Sequence, residues 1–271
     1  MIERYEILLE VQSEQDPLWR SPARGTLMHG LLLNEVKSDS LHTGGSAVRP
    51  YTQHLQALST GRYVWTINTL SEAAAPLANW LESAPTDLYL EHYDLHLSIA
   101  EIKKVASFQY GDFMEAAFED LPAKYMTFEI LTPMVFKKAG QANVWQWPEA
   151  RLMVQSALTR WNAFAETEKL DDPQILEDIA TAVQPFSFKV QSQHVSMDGI
   201  NFAGTVGKIS FVVQNRTEVR QLLNLAGKYS EFCGLGAKTA MGLGAVRFLP
   251  SEISRPSRQR RWRDHTEQLA G

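Results

Sequence analysis

The chain is poor in everything that would tie a fold together covalently or hold it in a membrane. Its 271 residues include one cysteine, Cys233. No internal disulfide framework is possible, no cysteine-based metal site can be built, and the usage fits a reducing cytoplasm. No apolar run approaches the roughly 20 residues of a membrane span. The segment Met1-Ile-Glu-Arg-Tyr-Glu lacks the apolar core of a signal peptide. Basic charge is also short: 26 Lys and Arg against 31 Asp and Glu leave a net charge of −5, which speaks against a uniformly basic nucleic-acid binder. The histidines supply no metal-ligand set. His92 and His96 share one strand-like stretch and read as surface residues.

What is present is the composition of a globular protein, 44% apolar and 21% charged, with chain enough for one large domain or two small ones. The charges are unevenly spread. Acids crowd residues 71–120 and 166–178. Bases gather at Lys37, Arg49, Lys137-Lys138, Lys238 and the tail Arg255 to Arg263. An acidic total of this kind is compatible with a basic cleft.

The most distinctive passage is Gly234-Leu-Gly-Ala-Lys-Thr-Ala-Met-Gly-Leu-Gly244, two Gly-Leu-Gly clasps around Lys238 and Thr239. Glycine permits positive φ and close approach of a backbone to a ligand, and successive N–H groups in such a loop can form an anion-binding concavity. The passage follows a helical pattern and precedes a strand, the reverse of a dinucleotide fingerprint, and Ala237 stands where a nucleotide-triphosphate loop needs glycine before Lys-Thr. Two readings stay open: a phosphate cradle formed by Gly234, Gly236, Lys238, Thr239, Gly242 and Gly244, or a turn that serves tight packing alone.

Periodicity orders the rest. Strands are expected at Glu3–Gln12, Tyr51–Leu58 and Arg62–Thr69, helices at Arg24–Val36 and Ser71–Ser83, and an extended segment at Leu88–Val105. The order then repeats. A strand at Tyr125–Phe136 is broken late by Thr132-Pro133. A helix follows at Glu149–Phe164, with a short extra one at Leu170–Ala182. Strands at Phe186–Val195 and Phe202–Val213, a helix at Glu218–Phe232 and a strand at Ala245–Leu249 complete the second pass. The expected class is α+β: two tandem ferredoxin-like βαββαβ domains, residues 1–122 and 123–250, with a basic tail at 251–271.

Four passages carry a family resemblance: the glycine-rich loop; Leu41-His42 with Arg49-Pro-Tyr-Thr52; Thr127 to Lys137 with its Thr-Pro turn; and Trp147-Pro148 leading to Gln155-Ser-Ala-Leu-Thr-Arg-Trp-Asn162. With these the chain resembles the CRISPR-associated repeat-processing endoribonucleases of the RAMP superfamily. The resemblance implies metal-independent cutting of CRISPR precursor RNA within its repeats, without a cofactor. The ribose 2′-OH attacks the scissile phosphate and leaves a 2′,3′-cyclic phosphate and a 5′-OH. It implies a stem-loop repeat RNA as partner, with CRISPR effector subunits as further partners, in a monomer or homodimer.

His42, in a polar loop after the first helix, is the leading candidate for proton transfer, since an imidazole titrates near neutral pH. His29 on that helix is the second. Some relatives carry a tyrosine near the position of Leu33, so a tyrosine–histidine pair is expected to be absent, and Tyr51 reads as strand packing. Arg49 stands where some relatives place a lysine. It can stabilise phosphorane charge but not act as base, and Lys37 is a candidate assistant. Lys137, Lys138, Lys238, Thr239 and the loop glycines are the candidate RNA contacts. Two alternatives remain: a non-catalytic RNA-binding subunit of the same superfamily, and a small-molecule enzyme on the same fold.

Overall fold

The structure is a computed structural model that describes residues 1–11, 16, 18, 24–42, 48–120, 123–137, 144–166, 169–197, 200–214 and 216–251. It opens with strand β1 (Ile2–Val11), whose Tyr5, Ile7 and Leu9 are buried on one face. Helix α1 (Arg24–Val36) buries Met28, Leu31 and Leu32, and α2 is a single turn (Asp39–His42). Strands β2 (Tyr51–Ser59) and β3 (Arg62–Thr69) form a hairpin, followed by α3 (Ala75–Glu82), β4 (Asp87–Leu90) and β5 (Leu95–Phe108). These strands make one antiparallel sheet in the order β2-β3-β1-β5-β4. Without the added edge strand β4 this is the ferredoxin-like order, and side chains of α1 and α3 join the strands in one core.

The second half repeats the plan. Its elements are β6 (Tyr125–Met134), a small hairpin of β7 (Phe136–Lys137) and β8 (Val144–Trp145), α5 (Ala150–Phe164), α6 (Gln174–Ala182), β9 (Val183–Met197), β10 (Ile200–Val213), α7 (Thr217–Cys233) and β11 (Val246–Ser251). The sheet order is β11-β6-β10-β9. The protein is therefore a tandem of ferredoxin-like folds.

The structure departs from the sequence reading in three places. The segment read as one extended run from Leu88 is a hairpin that turns at Glu91–Tyr93, with Asp94 at φ 47°. A short polar side chain suits that left-handed position. Helix α4 (Tyr110–Glu119) was not anticipated. It precedes residue 122, yet Tyr110, Phe113 and Ala117 pack in the core of the second sheet. Finally, Thr132-Pro133 does not break β6, which runs on to Met134. Pairing with β11 has already ended at Ile130, so the missing N–H of Pro133 costs no bond on that side.

Trp161 of α5 is the centre of this second core. It is 1% exposed and meets Tyr110 and Tyr229 edge-on, with ring centroids at 4.9 and 5.1 Å. The two tyrosine hydroxyls are 3.0 Å apart, and Tyr110 also donates to the carbonyl of Leu70, which ties α4 and α7 to the end of β3. Among the described residues no helix is long and apolar enough to cross a membrane.

Trp161→Ala is expected to lower unfolding stability by about 3–5 kcal/mol, the range for emptying a large aromatic site in a core. Phe188→Ala, at a position 62% exposed, should stay within about 0.5 kcal/mol. Urea denaturation midpoints decide; equal effects would contradict the assigned core.

Candidate active site

Helix α7 ends at Gly234 (φ 64°), and the glycine-rich loop that follows uses the left-handed region at Gly236 (φ 86°), Lys238 (φ 61°), Gly242 (φ 87°) and Gly244 (φ 64°). Gly242 requires the absence of a side chain as well as its φ, because a Cβ there would lie 2.6 Å from Cα of Gly25 at the start of α1. The destination of each N–H decides between the two readings of the loop. Gly234 donates to Ser230 O, Gly236 to Ser156 Oγ, Gly242 to Thr239 O and Gly244 to Pro133 O. The expectation that these four glycines cradle an anion with their amides is therefore corrected: Gly234 and Gly242 spend their donors locally, and Gly236 and Gly244 spend theirs in docking the loop. Their work is to seat Lys238 and the 3₁₀ turn Thr239–Met241 between the two halves. Gln53 of β2 fastens that turn from the other side, donating to the carbonyls of Gly25 and Ala240 and accepting from Trp65 Nε1.

Beside the loop lies a cleft of about 590 Å³ lined by Arg49, Lys137, Ser156, Arg160, Lys238 and Thr239, among others, with no acidic residue among the described residues of its lining. Arg160 was not singled out by the sequence. Its guanidinium donates to Gly236 O at 2.7 Å, to Thr239 Oγ1 at 3.2 Å, and to Ser156 Oγ and O. All these acceptors are neutral, and no carboxylate among the described residues pairs with it. Burial lowers its pKa, but a guanidinium remains charged. The Thr239 hydroxyl, a candidate RNA contact, is already an acceptor for this arginine. The available signal was the i, i+4 spacing of Ser156 and Arg160, polar neighbours on a helix that otherwise buries Met153, Val154, Ala157, Leu158 and Trp161.

The candidate proton-transfer groups are arranged differently from expectation. A tyrosine–histidine contact does exist, made by Tyr51 of β2 and not by position 33, with its Oη 3.0 Å from His29 Nδ1. Both residues are buried. Burial pushes the Tyr51 hydroxyl up to about 12, opposed by the charge and hydrogen bond of Arg49. Arg49 can only donate, so Tyr51 accepts from it, and the direction of the Tyr51–His29 bond follows the histidine tautomer. Arg49 also donates to Leu41 O at 2.7 Å, one residue before His42. The side chain of His42 lies outside the described residues; its backbone closes α2. Lys37 is exposed, caps α1 with φ 47° and is absent from the cleft lining, so its place is that of a helix-terminal lysine. Lys138 and the tail beyond residue 251 lie outside the described residues. Among the described residues no cluster of His, Cys, Asp and Glu is arranged to hold a metal.

The family model for CRISPR-associated endoribonuclease Cas6 matches residues 128–246, which run from β6 through α5 and the glycine-rich loop. A Cas6 endoribonuclease of Mycobacterium tuberculosis is 26% identical over 255 residues, covering 92% of this chain and 79% of that protein. One of Streptococcus thermophilus is 21% identical, covering 81% and 88%. Over most of its length the chain is similar to CRISPR-associated repeat-processing endoribonucleases. Solved Cas6 structures share the fold. A Cas6 product complex superposes with a TM-score of 0.74 at 22% identity, covering 92% of this chain and all of that one. Thermus thermophilus Cas6 superposes at 0.69 and 20%, covering 92% and 98%. The family match encloses Ser156, Arg160 and Lys238, whereas His29, His42, Arg49 and Tyr51 precede it.

Two outcomes follow from this geometry. Tyr51→Phe removes the hydroxyl bonded to the buried His29 Nδ1 and should cost about 1–3 kcal/mol of stability, read from urea denaturation; an unchanged midpoint would show that the bond is not formed. Burial also raises the Cys233 thiol from 9.0 to about 12. The proton is held more tightly in the fold, so this group's contribution to stability is complete below pH 9 and is lost as pH rises towards 12. A thiol reagent at about pH 8 should label native protein slowly and urea-unfolded protein fast; equal rates would refute the burial.

Proposed function

We propose that this protein cuts CRISPR precursor RNA within its repeats, without a metal ion, in the cleft beside the glycine-rich loop. The observation that carries the reading is the cleft's charge. In a chain of net charge −5, Arg49, Lys137, Arg160 and Lys238 line one cleft with no carboxylate among its lining residues. Phosphate contacts dominate RNA affinity, and a concave site of one sign concentrates its opposite. Relatives solved as a product complex and a substrate-mimic complex support the same reading.

In the proposed reaction the 2′-OH gives up its proton, its oxygen bonds to the neighbouring phosphorus, and the P–O5′ bond breaks as the leaving oxygen takes a proton. His42 carries the proton transfer. Arg49 steadies the chain at Leu41 and, with Lys238, offsets charge on the phosphoryl oxygens. His29 is buried against Tyr51 and acts as a positioning residue. Release of guide RNA to effector subunits and cytoplasmic location belong to the same proposal. Binding with no cleavage is the outcome that would mark the non-catalytic alternative.

The test is cleavage of a labelled repeat RNA from the source genome in EDTA. Wild type should give one cut, blocked by 2′-deoxy substitution at the scissile ribose. His42→Ala should slow it by about 10²–10⁴-fold, the usual range for a lost general acid or base. His29→Ala should slow it less. Abolition by His29→Ala alone would move the proton-transfer role to α1, and a metal requirement would overturn the mechanism.

A further inference from the structure

A second cavity, of about 270 Å³, lies on the other side of the 3₁₀ turn from the cationic cleft, and Met241 borders both. It is built by both halves: Arg24 and Thr26 from the start of α1, His54 from β2, Pro133 from β6, Gln193 from β9 and Leu243 from the glycine-rich loop. Its volume falls below the roughly 300–1,000 Å³ of pockets for drug-sized ligands, so it suits one flat ring.

Among the described residues, three polar side chains of this cavity have no hydrogen-bond partner. Thr26 Oγ1 is buried and makes no hydrogen bond, which is uncommon for a buried hydroxyl. Neither the half-buried His54 side chain nor that of Gln193 forms a hydrogen bond with a described residue. Burial, with the charges of Arg4 and Arg247, lowers His54 to about 4. The ring is therefore neutral at physiological pH and presents one donor and one acceptor. Gln193 adds an amide with both functions. Pro133 and Leu243 supply apolar wall, and among the described residues no carboxylate lines the cavity.

We infer that this cavity is a specificity pocket for one unpaired nucleobase of the repeat RNA, its edge read by Thr26, His54 and Gln193. The inference rests on the proposed function and extends it. Sequence-specific RNA recognition is aimed mostly at unstacked bases whose edges can be hydrogen-bonded, and a site built to bond a polar edge discriminates strongly because its own groups are left unpaired by the wrong ligand. The adjoining cleft would hold the backbone of the same strand.

The test uses the intact protein and repeat RNAs made uncleavable by 2′-deoxy at the scissile ribose, with each unpaired base in turn replaced by an abasic site. Affinities are measured for wild type, Gln193→Ala and Thr26→Val, beside cleavage of the unmodified repeat at saturating protein. One abasic position should weaken wild-type binding by about tenfold or more, the scale of one well-read base. At that position the two variants should show little further loss, while cutting at saturation persists. Abasic losses equal in all three proteins, or variants that bind the full repeat as wild type does, would overturn the pocket. If wild type cuts the repeat and the losses are uncoupled, only the pocket falls. If wild type neither binds nor cuts, the functional reading falls and the pocket with it.

Discussion

The arrangement depends on the clamp that holds the glycine-rich loop between the two ferredoxin-like units. From one side Gln53 binds the carbonyls of Gly25 and Ala240; from the other Arg160 and Ser156 bind Gly236 and Thr239. The carbonyls of Val135 and Pro133 accept from Ala237 and Gly244. The amides of Gly236, Ala237 and Gly244 are thus satisfied by residues far away in sequence. Left-handed glycines are what allow a backbone to enter so narrow a space. The loop cannot shift without exposing or orphaning several donors at once, which fixes Lys238 at the cleft rather than on a mobile tip.

The same seam is reinforced by the end of α7. Arg4 of β1 donates to Glu231 O and stacks 4.2 Å from the Phe232 ring centre, and Thr52 Oγ1 donates to Phe232 O. A cation at a helix C-terminus answers both its unpaired carbonyls and its dipole. Asn68 completes the set by accepting from Arg4 and donating to Thr52. The open face of the first sheet is therefore polar for a structural reason: it is the receptor for a helix end.

How much of this was legible in the sequence depended on the range of the contacts involved. Helix α1 was read with its bounds Arg24 and Val36, and the tandem strand-helix order was read as well, because apolar periodicity is local. Helix α4 escaped notice because its apolar residues are spaced among acids and find their partners, Trp161 and Tyr229, in the other half. Tyr51 was taken for packing because a strand pattern shows which way a tyrosine faces but not what its hydroxyl meets; only the fold brings His29 to it. The glycines announced a constrained loop, but which N–H groups remained for an anion depended on Ser156 and Pro133, about 80 and 110 residues away.

Arg160 shows why an acidic protein can still hold a phosphate chain. A guanidinium taken out of water needs its donors satisfied, and a carboxylate would satisfy them while cancelling the charge. Here neutral oxygens of Ser156, Gly236 and Thr239 do so, so the positive field survives and reaches the cleft. Arg49 follows the same rule, bound to the carbonyl of Leu41 and to Tyr51. By contrast Lys104, Lys208 and Arg247, on strands away from the cleft, are paired with Glu3, Glu82 and Glu129. Net charge is a poor guide to such a protein because pairing removes charge selectively. What remains unpaired, and beside which concavity, determines where a polyanion will bind.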